Sequence, residues 1–342
     1  MEVYFGTNFW DDRKMGAPLD KIPVHGSAEG DMPAWGNRKV RIPAVYVGQE
    51  GAVLDLCMCV PLSDISEYME KWKDRGYEDL SDEELEQVES ESPFGGHFDV
   101  LLSLDGARLK CTFGCGTVWN PLLPDRDMDP ETETLMKAYG CSREYGWSFH
   151  RNCFEWDGTP ILDPGKLECV LVSRKQSVTA AHFVTDISDG TGDGKKQGRK
   201  IQLTHPLSGD TYTLTILSCE AGKHEGDWGD PGSDLEYPSC YQEITYTVEP
   251  DIMPEELTIQ DCAREDQPRR KGAGDNDADS SFLASSTVLV PMYAMEGGES
   301  PDVRSAYSSL RFGPVDRAEW RAVFHIKKEK DFHIQADLVH CP

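Results

Sequence analysis

The feature that most restricts this chain is the two-residue alternation between Lys200 and Val248. Ile201 and Leu203 point one way while Lys200, Gln202 and Thr204 point the other. Beyond Pro206-Leu207-Ser208-Gly209 the pattern resumes, with Tyr212, Leu214 and Ile216 alternating with Thr211, Thr213 and Thr215. A side-chain period of two belongs to strands with one buried face, and a helix does not satisfy it. A four-residue loop sets His205 opposite Asp210, Leu203 opposite Tyr212 and Ile201 opposite Leu214, so both apolar rows fall on one side of a hairpin. Ile244, Tyr246 and Val248, alternating with Glu243, Thr245 and Thr247, predict a third strand.

The same period predicts strands along most of the chain. Arg41–Val47 and Ala52–Val60 flank Gly48-Gln49-Glu50-Gly51, and Phe98–Leu104 and Ala107–Phe113 flank Asp105-Gly106. Asp-Gly favours a tight turn because both residues tolerate positive φ. Trp147–Trp156, Leu167–Val172, Val178–Ile187, Thr287–Tyr293, Ala306–Phe312, Trp320–Lys327 and Phe332–Leu338 read as further strands. Helical spacing is confined to three places. Ile65, Tyr68, Met69 and Trp72 form one stripe, with Ser63 or Asp64 expected as cap and Gly76 as stop. Ser81 and Glu84 have capping-box spacing at the head of a very acidic turn anchored by Leu85 and Val88, and Asp129 to Tyr139 is a short helix.

The expected fold class is therefore mainly β, with an α+β tendency in the N-terminal half: antiparallel β-sandwich-like sheets with two or three short helices. Gly158, Pro160, Pro164 and Gly165 suggest a boundary, giving an N-terminal α+β domain over 1–160 and a C-terminal antiparallel β-sandwich over 161–342. Ala263 to Ser281 has almost no large apolar residue, so 263–281 is expected to be a flexible loop.

The last two strands carry a candidate metal pair. A Lys328-Glu329-Lys330 loop would set Lys327 opposite Asp331 and Arg321 opposite Asp337. The same register faces His325 with His333, and two imidazoles across a ladder would bind a transition metal once a third ligand approached. Cys57 with Cys59, and Cys111 with Cys115, lack Cys-x-x-Cys spacing, so they read more simply as core thiols than as ligands joined by His97, Cys141, His150 and Cys153. Asp186, Asp189 and Asp193 make an oxygen-rich loop without EF-hand spacing. No cofactor is predicted; zinc and calcium are the ions these patterns would take.

Charge narrows the partners. With 61 Asp and Glu against 34 Lys and Arg, the net charge of -27 repels phosphate backbones and anionic membrane surfaces. Nucleic acid and membrane are excluded as expected partners, leaving a small molecule, a glycan or a basic protein. No apolar run approaches the roughly 20 residues that span a bilayer, and Met1-Glu2-Val3-Tyr4-Phe5-Gly6 lacks a basic leader, so the expected location is the cytoplasm.

The best ligand pattern lies in and beside the loop from Gly222 to Cys240. There Trp228, Tyr237 and Tyr241 accompany Asp227, Asp230, Asp234 and Glu236. Aromatic faces stack on sugar C–H surfaces while carboxylates accept hydroxyl hydrogen bonds. No Gly-x-Ser-x-Gly or His-Glu-x-x-His is present, and no catalytic residue is assigned. The expectation is a non-enzymatic cytoplasmic binding protein using the loops of a β-sandwich. The alternatives are a carbohydrate-active or metal-assisted hydrolase, and an acidic scaffold for a basic protein.

Overall fold

The computed structural model describes residues 1–10, 16–25, 32–76, 80–123, 129–189, 198–224, 235–270 and 303–339. In chain order the first elements are β1 (Asp20–Pro23), β2 (Ala34–Trp35), β3 (Arg38–Arg41), β4 (Ala44–Val47) and β5 (Gly51–Val60). Helices α1 (Leu62–Trp72) and α2 (Asp82–Glu91) follow, then β6 (Phe98–Leu104), β7 (Ala107–Trp119), α3 (Pro130–Tyr139), β8 (Gly146–Trp156) and β9 (Lys166–Ser173). Next come β10 (Gln176–Asp186), β11 (Arg199–Thr204), β12 (Thr211–Lys223), β13 (Leu235–Glu236) and β14 (Cys240–Glu249). The last are β15 (Leu257–Asp261), β16 (Arg269–Arg270), β17 (Arg304–Tyr307), β18 (Arg317–Ile326) and β19 (Phe332–Asp337). The fold is mainly antiparallel β, with these three α-helices among the described residues.

The chain forms two compact units, Met1–Gln176 with Lys327–Pro342, and Ser177–Ile326. The first unit is a ten-stranded sheet in the order β1-β4-β5-β8-β7-β6-β9-β19, with β3 also on β5 and β2 on β3. It curls into a half-barrel whose edges touch at a Val24–Leu338 bridge, where the His25 N–H donates to Asp337 O at 3.0 Å and the Val339 N–H to Pro23 O at 2.9 Å. Leu54, Leu56, Met58, Leu102, Leu104 and Phe154 fill its inside. Its outer face is covered by Leu135, Met136 and Tyr139 of α3, packed on Cys57, Cys59, Trp147 and Phe149. Every residue of β5 is buried, which is why its sequence is a nearly continuous apolar run rather than an alternation.

The second unit is a sandwich. Its three-stranded sheet β10-β18-β15 and four-stranded sheet β11-β12-β14-β17 share one core that includes Phe183, Leu214, Ile244, Ile259, Trp320 and Phe324. The β11/β12 hairpin has the expected register, Leu203 with Tyr212 and Ile201 with Leu214, and β14 pairs alongside β12. A bulge at Leu217 turns that side chain outward, leaving it half exposed. The Asp105-Gly106 turn also forms as expected, with φ of 47° and 82° at its two residues.

Four features differ from the sequence expectation. The final hairpin does not form: β18 pairs with β15, placing Gln260 opposite Arg321, while β19 pairs with β9, placing Lys166 opposite Asp337 and Val170 opposite His333. Alternation fixes which face of a strand turns inward but not which strand lies beside it. The Lys327–Asp331 pair does exist, at 2.6 Å, as a contact within the connecting loop. Second, β9 and β19 belong to the half-barrel, so the unit boundaries fall at Gln176/Ser177 and Ile326/Lys327, and the turn at 157–165 joins two strands of one sheet.

Third, the described part of 263–281 is tied down. Asp266 accepts from Arg311 at 2.8 Å and from the Phe312 N–H at 2.9 Å, and Arg269–Arg270 pair with β13; residues 271–281 and the predicted strand at 287–293 lie outside the described residues. Fourth, α1 starts at Leu62 with Pro61 as N-cap and no side-chain cap, ends at Trp72, and buries Ile65 alone. Proline preset at φ -60° supplies the entry geometry that Ser63 or Asp64 was expected to give. In the C-terminal stretch, β17 covers only the start of the predicted Ala306–Phe312 strand before the chain bends.

Candidate functional site

A polar groove of about 580 Å³ opens on the first unit. Its floor and walls come from the β2–β3 turn, α1, the end of α2 and the loop before β19, through Arg38, Glu67, Tyr68, Lys71, His97 and Glu329 among others. Local bonds hold these groups in place. Arg38 donates through Nη1 to Gly95 O at 2.6 Å and through Nη2 to Glu329 Oε2 at 3.2 Å, with its cation 5.3 Å from the Trp35 ring centre. The Tyr68 hydroxyl donates to Val88 O at 3.1 Å, and Lys71 pairs with Glu91 at 2.5 Å, so α1 and α2 are tied into one wall. Burial, with the Glu91 charge nearby, raises the Tyr68 phenol above its ordinary value.

Helix α2, whose end adds Ser90 and Glu91 to the groove wall, is strongly acidic. Six of its ten residues, Asp82, Glu83, Glu84, Glu86, Glu89 and Glu91, are carboxylates, and none of the ten is buried. The predicted capping box is present: the Glu84 N–H donates to Ser81 Oγ at 3.2 Å and the Ser81 N–H to Glu84 Oε2 at 2.9 Å. The Ser81 N–H foremost, then the Ser81 hydroxyl and Arg75, hold the Glu84 carboxyl below its usual range. Acids in the first turn also suit the positive end of the helix dipole.

A second polar cluster lies beneath the outer face of the half-barrel. Asp55 and Arg151, both almost fully buried, form a two-pronged pair at 2.9 and 2.7 Å, and the Tyr139 hydroxyl donates to the same carboxylate. Tyr46 and Tyr139 share a hydrogen bond at 3.0 Å between their hydroxyls, and Phe9 lies 4.5 Å from the guanidinium carbon, closing a hollow of about 280 Å³. Burial pushes Tyr46 up to about 12 and Tyr139 well above its ordinary value. Burial alone would lower Arg151, but the Asp55 hydrogen bonds and charge more than offset it, so the guanidinium stays charged. Hydroxyls and a cation held this firmly do not exchange protons near neutral pH; the cluster is a clamp joining α3 to β5 and β8. The lone acid in the apolar run Leu54-Asp55-Leu56 was the sequence signal for it.

His150 is held nearby on β8, its ring edge-on to Phe98 at 5.1 Å. Gly96 leaves room for it: a Cβ there would stand 2.7 Å from the imidazole Cε1. Burial, reinforced by the Arg38 charge, lowers the imidazole to about 4.

The structure describes only part of the sequence-predicted sites. Asp227, Trp228, Asp230 and Asp234 lie outside the described residues, as does Asp193. Glu236 pairs with Arg269 at 3.1 Å, Tyr237 is half-buried, and Tyr241 meets Tyr307 edge-on at 5.5 Å. His325 faces Thr258 Oγ1 at 2.9 Å and Ser177 Oγ at 3.4 Å, on β18, while His333 sits on β19. The ladder that was to bring these two histidines together is therefore not there. Cys57 and Cys59 pack in the apolar layer under α3, Cys153 packs with Val3, Tyr46 and Val53, and burial pushes the Cys57 and Cys153 thiols up. Asp186 accepts from the Ser188 N–H at 2.9 Å and the Ser188 hydroxyl at 2.6 Å, as a turn residue does. No protein family, curated protein or solved structure matches this chain, which leaves its own geometry as the ground for a function.

Proposed function

We propose that this chain is a non-enzymatic interaction protein that takes a basic segment of a partner polypeptide into the groove walled by α1, the end of α2, the β2–β3 turn and the loop before β19. The observation that carries the reading is α2 itself: six carboxylates on a ten-residue helix, with its end forming part of the wall of a groove of about 580 Å³. A groove lined by charged and amide groups is poorly suited to an apolar small molecule, whose sites are mostly hydrophobic. Lysine and arginine side chains entering the groove would meet the Asp64, Glu67 and Glu91 carboxylates of its wall, while the net charge of -27 speeds their encounter. The cytoplasm is the compartment proposed, because it keeps thiols such as those of Cys57 and Cys141 reduced. No helix among the described residues is long and apolar enough to cross a membrane.

The test is titration of a labelled lysine-rich peptide with the full chain, read by fluorescence anisotropy at low and physiological salt. Neutralising the groove-wall carboxylates together, Asp64→Asn with Glu67→Gln and Glu91→Gln, should weaken binding markedly. Neutralising Glu220, Glu249 and Glu255, exposed carboxylates of the sandwich, should change it little. Equal weakening by both triple variants would mean that the peptide senses only net charge, and the groove reading would fall.

A further inference from the structure

We propose that His182, Cys262 and Glu319 form a binding site for a zinc-class divalent ion on the outward face of the sandwich's three-stranded sheet. Each comes from a different one of three adjacent strands or its immediate end: His182 from β10, Glu319 from β18 and Cys262 from the residue after β15. Their outward direction follows from the alternation, since Phe183, Ala318 and Trp320, the neighbours in sequence, are buried in the sandwich core.

The backbone around the cluster is fixed. The Cys262 N–H donates to Glu319 O at 2.8 Å, so these two residues face each other across the ladder. On either side of Cys262, Asp261 accepts from the Ala263 N–H at 3.1 Å and the Ser309 N–H at 2.9 Å, and the Ser309 hydroxyl donates to Ala263 O at 2.7 Å. The Trp320 indole N–H donates to Thr185 Oγ1 at 2.7 Å, pinning β18 against β10 beneath the cluster. A site carried on strands with a buried underside is held more firmly than one on a loop.

The distances suit the ion. One ligand atom from each residue lies within 4.8 Å of the others, and Cys262 Sγ stands 3.6 Å from His182 Nδ1. Zinc bonds of about 2.3 Å to sulfur and about 2.0–2.1 Å to nitrogen, at a tetrahedral angle, place those two atoms about 3.6 Å apart. Thiolate, imidazole and carboxylate together are a borderline-soft set that favours zinc over calcium or magnesium. Three protein ligands leave a fourth position for water, and the exposure of His182 and Glu319 lets the ion enter from solvent. On binding, the Cys262 S–H gives its proton to the buffer as the S–metal bond forms.

The experiment uses the full chain, reduced and freed of metal, titrated with Co²⁺ as a spectroscopic stand-in for zinc. One equivalent should produce a thiolate-to-cobalt charge-transfer band in the near ultraviolet with strong tetrahedral bands in the visible, both erased by one equivalent of Zn²⁺. Cys262→Ser should abolish the near-ultraviolet band, whereas Cys111→Ser, at an exposed cysteine outside the cluster, should leave it intact. His182→Ala and Glu319→Ala should each weaken Co²⁺ binding by more than the roughly 10–100-fold loss typical of a mere supporting residue. Far-ultraviolet circular dichroism checks that each variant folds, and His182→Ala decides the matter if Cys262→Ser does not. A weak octahedral spectrum, or a thiolate band that survives both Cys262→Ser and His182→Ala, would show that the 3.6 Å contact is only a thiol–imidazole hydrogen bond and would overturn the site.

Discussion

Asp55 shows how much one side chain in this molecule is asked to do. Its carboxylate receives both arms of Arg151 and the Tyr139 hydroxyl in a place almost without water. Asp55→Asn keeps the shape but strands a buried cation, and breaking such a pair from one side costs about 3–5 kcal/mol. The expected result is a correspondingly lower urea midpoint; a change within about 0.5 kcal/mol, the range of surface substitutions, would refute the clamp. His150 makes a pH prediction. Its folded imidazole is lowered to about 4 while an unfolded one keeps the ordinary value of 6.5, so between those values the unfolded chain holds the extra proton. Stability from this group is complete above about 6.5 and is lost as pH falls toward 4, by at most about 3 kcal/mol. Thermal melts at stepped pH should show a steeper loss in the parent than in His150→Gln; parallel curves would rule the histidine out.

At the scale of elements, α2 combines a legible start with an illegible purpose. Ser81→Ala removes the cap at a typical cost of about 1 kcal/mol, which should speed amide exchange at Glu84 and Leu85 and weaken the lysine-rich peptide in the same variant. Unchanged exchange would mean that the Tyr68 and Arg75 contacts alone hold the helix. The cap itself was readable, because a capping box is a local pattern of side-chain chemistry at fixed spacing. The β11/β12 register was readable for a similar reason, since a four-residue loop leaves little freedom. The partner of β19 was not: Phe332, Ile334 and Ala336 say only that one face is apolar, and that face serves the half-barrel as well as it would a hairpin with β18. The expected facing of His325 and His333 went with that partner. His182, Glu319 and Cys262 are remote in sequence and converge only because β18 lies between β10 and β15, an order that periodicity does not encode.

The whole molecule is built as one unit interrupted by another, with the sandwich Ser177–Ile326 inserted between β9 and β19 of the half-barrel. A chain leaving the ribosome at roughly 5–20 residues per second will have all of β1 to β9 in hand well before β19 arrives, a wait on the order of ten seconds or more. Through that wait β9 and β1 are bare edges, the kind of strand that pairs with neighbouring chains. Synthesis stopped before Phe332 should therefore yield a product whose sandwich resists protease while its N-terminal portion is cleaved or aggregates. A truncated product whose N-terminal portion is as resistant as in the full chain would show that the last strand is dispensable. If it is not, the order in which this protein is made obliges its first-made half to finish last.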